Sequence, residues 1–186
     1  MPPSIKITKE EIRRAAFDIV REQGADALSV RAVANRLGCS TQPVMYHFGS
    51  VAELRKEVYI MADEYHTRYI TNPDPASPMQ GMGLAYIRFA REEKHLFRFL
   101  FQSDAFAQRS LDELITADEL TPVLEALSAS AHISLERARA VFRVLFLLVH
   151  GYASMFANNA MTGDETTAAN DLHLVFDRLL AENGED

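Results

Sequence analysis

Residues 29–48 read SVRAVANRLGCSTQPVMYHF, and this stretch decides the fold. Ser29 stands where a helix cap belongs. Val33, Ala34 and Leu37 then fall on one face of a short helix, Val30 to Leu37. Gly38-Cys39-Ser40 is a tight turn. Ser40 is placed to cap a further helix, Thr41 to Phe48, with Pro43 in its first turn, where a missing N–H costs little. Two short helices joined by a three-residue turn that begins with glycine make a helix-turn-helix, whose second helix enters the major groove of DNA.

On that reading Thr41 and Gln42 meet base edges. Gln pairs with adenine, and Thr bonds a base or touches a thymine methyl. Tyr46 and His47 carry donors suited to phosphate oxygens. Ser29 and Arg31 stand at the start of the supporting helix, whose N-terminus attracts an anion. Ser40, and Lys56 on a phosphate, complete the expected DNA contacts. The competing reading is an ordinary helix pair in a core.

Working outward, the chain reads as helices almost throughout. Thr8-Lys9-Glu10-Glu11 has the form of a capping box, and Ile12, Ala15, Ala16, Ile19 and Val20 follow at helical spacing until Gly24. Ser50-Val51-Ala52-Glu53 is a second capping box, opening a helix that ends near Thr71. Asn72-Pro73-Asp74-Pro75 is the clearest linker. Helices follow from Pro78 to about Glu93, from Pro122 to Ala131, from Ser134 to about Asn159 and from about Thr166 to Glu182. Residues 95–102 make a dense apolar turn or short helix. No segment alternates with period two long enough to be a strand. The expected fold is all-α: a three-helix helix-turn-helix head (residues 1–56) and a larger helical effector-binding and dimerisation body (residues 57–186).

Composition agrees with a folded soluble protein: 186 residues, 48% apolar and 24% charged. The net charge of −7 hides an asymmetry, because residues 1–56 hold nine Lys/Arg against six Asp/Glu. The head is therefore +3 and the remainder −10. One cysteine, Cys39, excludes a disulfide framework and a cysteine-based zinc site, and reads as a small packing residue. The N-terminus carries no readable secretory signal. The longest strictly apolar run is Val144 to Val149, against about 20 residues for a bilayer span. These features point to a cytoplasmic protein. The six histidines show no metal-ligand spacing, and no Gly-rich phosphate loop or nucleophile motif is present. Neither an enzyme nor a metal or other cofactor is expected.

The stretch from Ser29 to Tyr59, SVRAVANRLGCSTQPVMYHFGSVAELRKEVY, resembles the DNA-binding head of the TetR family of transcriptional regulators. The resemblance covers about residues 8–60. Its layout lies in the capped first helix, Ala32-Val33-Ala34, Leu37-Gly38, Tyr46-His47-Phe48 and Glu53-Leu54. Tyr86-Ile87-Arg88-Phe89-Ala90 through Phe97-Arg98-Phe99-Leu100-Phe101 is similar in style to effector domains of that family. Leu147-Leu148-Val149-His150-Gly151 resembles the His-Gly signature of one C-terminal subclass, without its usual nearby tryptophan. The resemblance implies a homodimer that binds a palindromic operator and releases it when a small molecule enters the body, most often as a repressor. Members commonly have a tyrosine at Met45 and a lysine at Val51, both used on phosphates. Met45 and Val51 cannot make those contacts, and they favour the alternative of an all-helical protein-interaction module with weak or no DNA binding.

Two further sets of residues are expected in the body. Met82, Phe89, Phe97, Phe101, His150 and Met155 are the candidate lining of an effector cavity, for a small, mainly apolar or amphipathic ligand with a polar group near His150. A lone histidine on an apolar helix is more often a satisfied structural group than a ligand contact, and the structural reading of His150 is the stronger of the two. Val144 to Val149 is apolar on every side, so burial on every side is expected. With the last helix it suggests a subunit interface through Leu148, Tyr152, Leu172, Val175, Phe176 and Leu179.

Overall fold

A computed structural model of the chain describes residues 7–71, 78–103, 110, 113, 117–159 and 165–181. Among the described residues there are nine α-helices, two short 3-10 turns and no strand. The expected breaks at 72–75 and 162–164 lie outside the described residues. The Cα positions group into two compact units, Met1–Arg68 with Glu93–Ala105, and Tyr69–Glu92 with Phe106–Asp186.

The first unit holds α1 (Lys9–Gln23), α2 (Val30–Arg36), α3 (Thr41–Phe48), most of α4 (Val51–Ile70) and α6 (Lys94–Phe101). The capping box of α1 forms as its sequence requires. Thr8 Oγ1 accepts from Glu11 N at 3.2 Å, and the Glu11 carboxylate accepts from Thr8 N at 2.8 Å. Those bonds from Thr8 hold the Glu11 carboxyl below its ordinary pKa. Ile12, Ala16, Ile19 and Val20 are buried, and Gly24 ends the helix at φ +92, a backbone that favours glycine. A Cβ on Gly24 would also stand 3.2 Å from His95 Nδ1, so α1 ends close against α6. Ser29 Oγ caps α2 through Ala32 N at 3.1 Å.

One expected cap is absent. Ser40 precedes α3 but makes no side-chain capping bond. A capping hydroxyl accepts from the N–H of the second or third helical residue, and the third here is Pro43, which has none. At α4, Ser50 Oγ accepts from Glu53 N at 3.2 Å, while the Glu53 carboxylate pairs with Lys56 at 3.0 Å.

The second unit holds α5 (Pro78–Glu92), α7 (Thr121–Ala131), α8 (Leu135–Asn159) and α9 (Glu165–Ala181). Ser134 Oγ caps α8 through Arg137 N at 3.1 Å. Helix α8 is central, packing on α5, α7 and α9. Its face of Ala138, Val141, Phe142, Leu145, Val149, Ala153 and Ala157 is buried. By length and composition alone α8 qualifies as a bilayer-crossing helix. That inner face packs in the core of the unit. The expected burial on every side does not occur within one chain, because Val144 is 41% and Leu147 49% exposed. Six consecutive residues cannot all face one core at 100° per residue. Gly83 lets α5 approach closely: a Cβ there would meet Leu172 Cδ2 at 2.9 Å and Val149 Cγ2 at 3.2 Å.

Candidate nucleic-acid interface and effector site

Helix α3 has two faces. Val44 and Phe48 turn inward, at 1% and 7% exposure. Thr41, Gln42, Met45 and Tyr46 turn outward on the opposite arc, and Tyr46 is 84% exposed. The inner face is held by α1 and α2, while Lys9 Nζ lies 5.3 Å over the Phe48 ring. Lys9 and Arg13 of α1 in turn bind Glu57 of α4, at 3.0 and 3.2 Å. The helix is thus clamped from behind and free in front, a geometry that presents side chains to a groove.

The expected DNA contacts are distributed unevenly. Thr41, Gln42, Ser40 and Tyr46 share the exposed end and outer face of α3, with Ser29 and Arg31 exposed at the start of α2. Lys56 is exposed, its Nζ resting on Glu53 at 3.0 Å. His47 is half-buried. Its Nε2 lies 3.2 Å from the Ile7 carbonyl oxygen, and the Tyr46 ring stands edge-on to it at 5.2 Å. When that nitrogen carries the proton it donates to the chain itself. Much of the positive charge counted in the sequence is likewise engaged. Arg36 forks onto Glu22 at 2.8 and 2.6 Å, which keeps the Glu22 carboxyl below its usual range. Arg55 lies 5.1 Å over the Phe99 ring.

The expected effector residues divide between the units. Phe97 and Phe101 belong to the first unit, with ring centroids 5.2 Å apart, and Phe97 is fully buried. Met82, Phe89, His150 and Met155 belong to the second. There Phe89 is fully buried, whereas Met155 is 45% exposed on the outer side of α8. His150 sits in an aromatic setting that its sequence position only half announced. Phe146, one turn earlier, stacks on it at 5.5 Å, and Tyr86 Oη lies 2.9 Å from its Nδ1. Burial lowers the His150 pKa and raises that of Tyr86. The imidazole is therefore neutral at pH 7, and the phenol donates to Nδ1 when the proton is on Nε2. The four-residue spacing could have found Phe146. No sequence signal links Tyr86 to a histidine 64 residues away. Among the described residues no group of three His, Cys, Asp or Glu side chains is placed to hold a metal ion.

The expected interface residues also separate. Leu148, Val175, Phe176 and Leu179 are half-buried. Tyr152 is half-buried and donates its hydroxyl to the Asp171 carboxylate. Leu172 is 3% exposed and packs inside its own unit against Gly83. Val144 and Leu147, from the apolar run read toward an interface, form one exposed stripe along α8 with Gly151 and with Met155, which was expected in the cavity.

Known protein families match the chain in two segments. Residues 12–58 match the family described as "Bacterial regulatory proteins, tetR family". Residues 79–182 match the family described as "Tetracyclin repressor-like, C-terminal domain". No curated protein matches the sequence. Among solved structures, the chain is similar to NalD of Pseudomonas aeruginosa, described as the secondary repressor of the MexAB-OprM multidrug efflux pump. The TM-score is 0.52 at 19% identity, over 91% of this chain and 93% of that one. It is also similar to the multidrug binding protein EbrR complexed with imidazole, with TM-score 0.51 at 21% identity over 89% and 88% of the two chains. At such identities the structural likeness speaks for the fold.

Proposed function

Because the chain belongs to the TetR family of bacterial regulatory proteins and is a ligand-responsive, DNA-binding transcriptional regulator, we propose that it is a cytoplasmic homodimeric repressor of a palindromic operator. The observation that carries this reading is the outer face of α3, where Thr41, Gln42, Met45 and Tyr46 stand exposed on a helix fixed from behind by Val44 and Phe48. Residues 1–56 act as the DNA-binding part and residues 57–186 as the ligand-binding and dimerising part. Thr41 and Gln42 read bases. Ser29, Arg31, Ser40, Tyr46, His47 and Lys56 position the head on phosphates. The chain performs no catalysis.

Dimerisation is supported by the stripe of Val144, Leu147 and Met155, large apolar side chains between 41% and 49% exposed, with Gly151 as a notch between them. A second copy covers this stripe together with Leu148 and Tyr152 of α8 and Val175, Phe176 and Leu179 of α9. The effector is a small apolar or amphipathic molecule, met in the second unit near Met82, Phe89 and His150. Its polar group meets the neutral imidazole of His150, and flat rings suit the face beside Phe146. It acts by binding the DNA-incompetent arrangement more tightly than the competent one. Helix α4 starts directly after Gly49-Ser50, so any tilt of it re-aims α3.

The test is a mobility-shift series with the purified full chain on the DNA upstream of its own coding sequence. Binding that survives random competitor DNA and weakens steeply with salt is expected. Equal binding to both DNAs, or none, ends the operator reading.

A further inference from the structure

Met45 is the odd residue on the outward arc of α3. It is 44% exposed, while the apolar residues that anchor the helix, Val44 and Phe48, lie on the other side. It follows Thr41 by four residues and Gln42 by three, so its thioether stands beside the two side chains assigned to bases. A methionine has no donor for a phosphate oxygen, and its sulfur is a weak acceptor. What it offers is apolar, adaptable surface. In the major groove the matching apolar feature of a base edge is the C5-methyl of thymine.

We propose that Met45 packs on a thymine C5-methyl in the base pair adjoining the one Gln42 reads, which makes it a specificity-determining residue for operator choice. This rests on the DNA-binding reading above. Gln42 takes an adenine through its amide, so each half-site carries that adenine beside an A·T pair whose thymine methyl faces Met45. Tyr46, more exposed still, lies at the edge of the arc and reaches the flanking backbone.

The wild-type full chain first selects duplexes from a random-sequence pool. One selected duplex is then remade with each thymine in turn replaced by deoxyuridine, which removes the methyl group alone. Wild type loses about fourfold in affinity at one thymine of each half-site, the scale of one buried methyl. Met45→Ala weakens binding to the thymine duplex and no longer responds to uracil at that position. Met45→Leu, still apolar, keeps the response. Thermal melts of both variants match wild type within a few degrees, because the side chain is not in the core. Equal uracil penalties in wild type and Met45→Ala, or no penalty at any thymine, overturn the proposal while DNA binding stands. Failure of the wild type to enrich any duplex overturns the DNA-binding reading and this proposal with it.

Discussion

The guanidinium of Arg21 on α1 forks onto the carboxylate of Glu93, 72 residues away, with Nε at 3.0 and 2.8 Å from its two oxygens and Nη2 bonded to the first. Glu93 is 9% exposed at the junction between α5 and α6. Tyr65 of α4 donates to the same carboxylate at 3.0 Å, and its ring lies 5.1 Å beneath the Arg21 guanidinium. The hydrogen bond to Glu93 raises the Arg21 pKa above its usual value. One buried carboxylate thus ties α1, α4 and the start of α6 within the first unit.

Arg21→Ala strands that carboxylate without its cation. The loss is about 1–3 kcal/mol, the cost of a buried acceptor losing its partner. Glu93→Gln costs less, since the amide still accepts from Arg21 and Tyr65. Urea midpoints at pH 7 rank the two variants in that order, and a reversed order contradicts the arrangement.

Acid weakens the fold through His66. Burial lowers its pKa from an ordinary 6.5 to about 4, and it stands 5.0 Å from the Phe101 ring. The unfolded chain therefore binds this proton at a higher pH than the folded one. Stability is fully present above pH 6.5 and is lost as pH falls from there toward about 4, by up to about 3 kcal/mol. Burial lowers the pKa of His150 in the same sense. His66→Leu flattens the difference between denaturation midpoints at pH 7 and pH 4.5.

Gly83→Ala adds a methyl where Leu172 Cδ2 would be 2.9 Å away. Helix propensity gains about 1 kcal/mol, but overpacking between α5, α8 and α9 costs about 1–3 kcal/mol. A lower melting temperature is the expected outcome. A higher one shows that Leu172 gives way freely.

Two leucines distinguish the proposed interface from a core. Leu147→Glu places a charge on the exposed stripe of α8, so the chain keeps its helix content in circular dichroism and sediments as a monomer. Leu172→Glu buries an unpaired charge at a site 3% exposed and leaves little folded protein. Monomeric wild type at micromolar concentration ends the dimer reading.

On DNA, Gln42→Ala relaxes sequence preference and costs roughly 1–3 kcal/mol at the cognate site. Lys56→Ala weakens all sequences alike and flattens the salt dependence by about one unit of slope. Anisotropy titrations on cognate and random duplexes, each at several salt concentrations, separate the two. Equal losses on both duplexes for Gln42→Ala move the base reader elsewhere.

The sequence by itself determined what is settled within a helical turn. Thr8 with Glu11, Ser29 with Ala32 and Ser134 with Arg137 join neighbours three apart, so caps and helix starts were legible. The period of Ile12, Ala16, Ile19 and Val20 marked a core face, and the glycine turn between α2 and α3 marked the helix-turn-helix. At Ser40 the proline three residues on removes one of the two N–H groups a cap could use. Only the tertiary structure decided which apolar faces are covered. Leu172 and Leu147 are the same residue type on wide apolar helices, yet one is buried by Gly83 and the other is exposed. The pairs Arg21–Glu93 and Tyr86–His150 were equally out of reach. Periodicity fixes the direction of a side chain about its own axis, whereas its partner depends on how distant helices pack, and no local pattern encodes that.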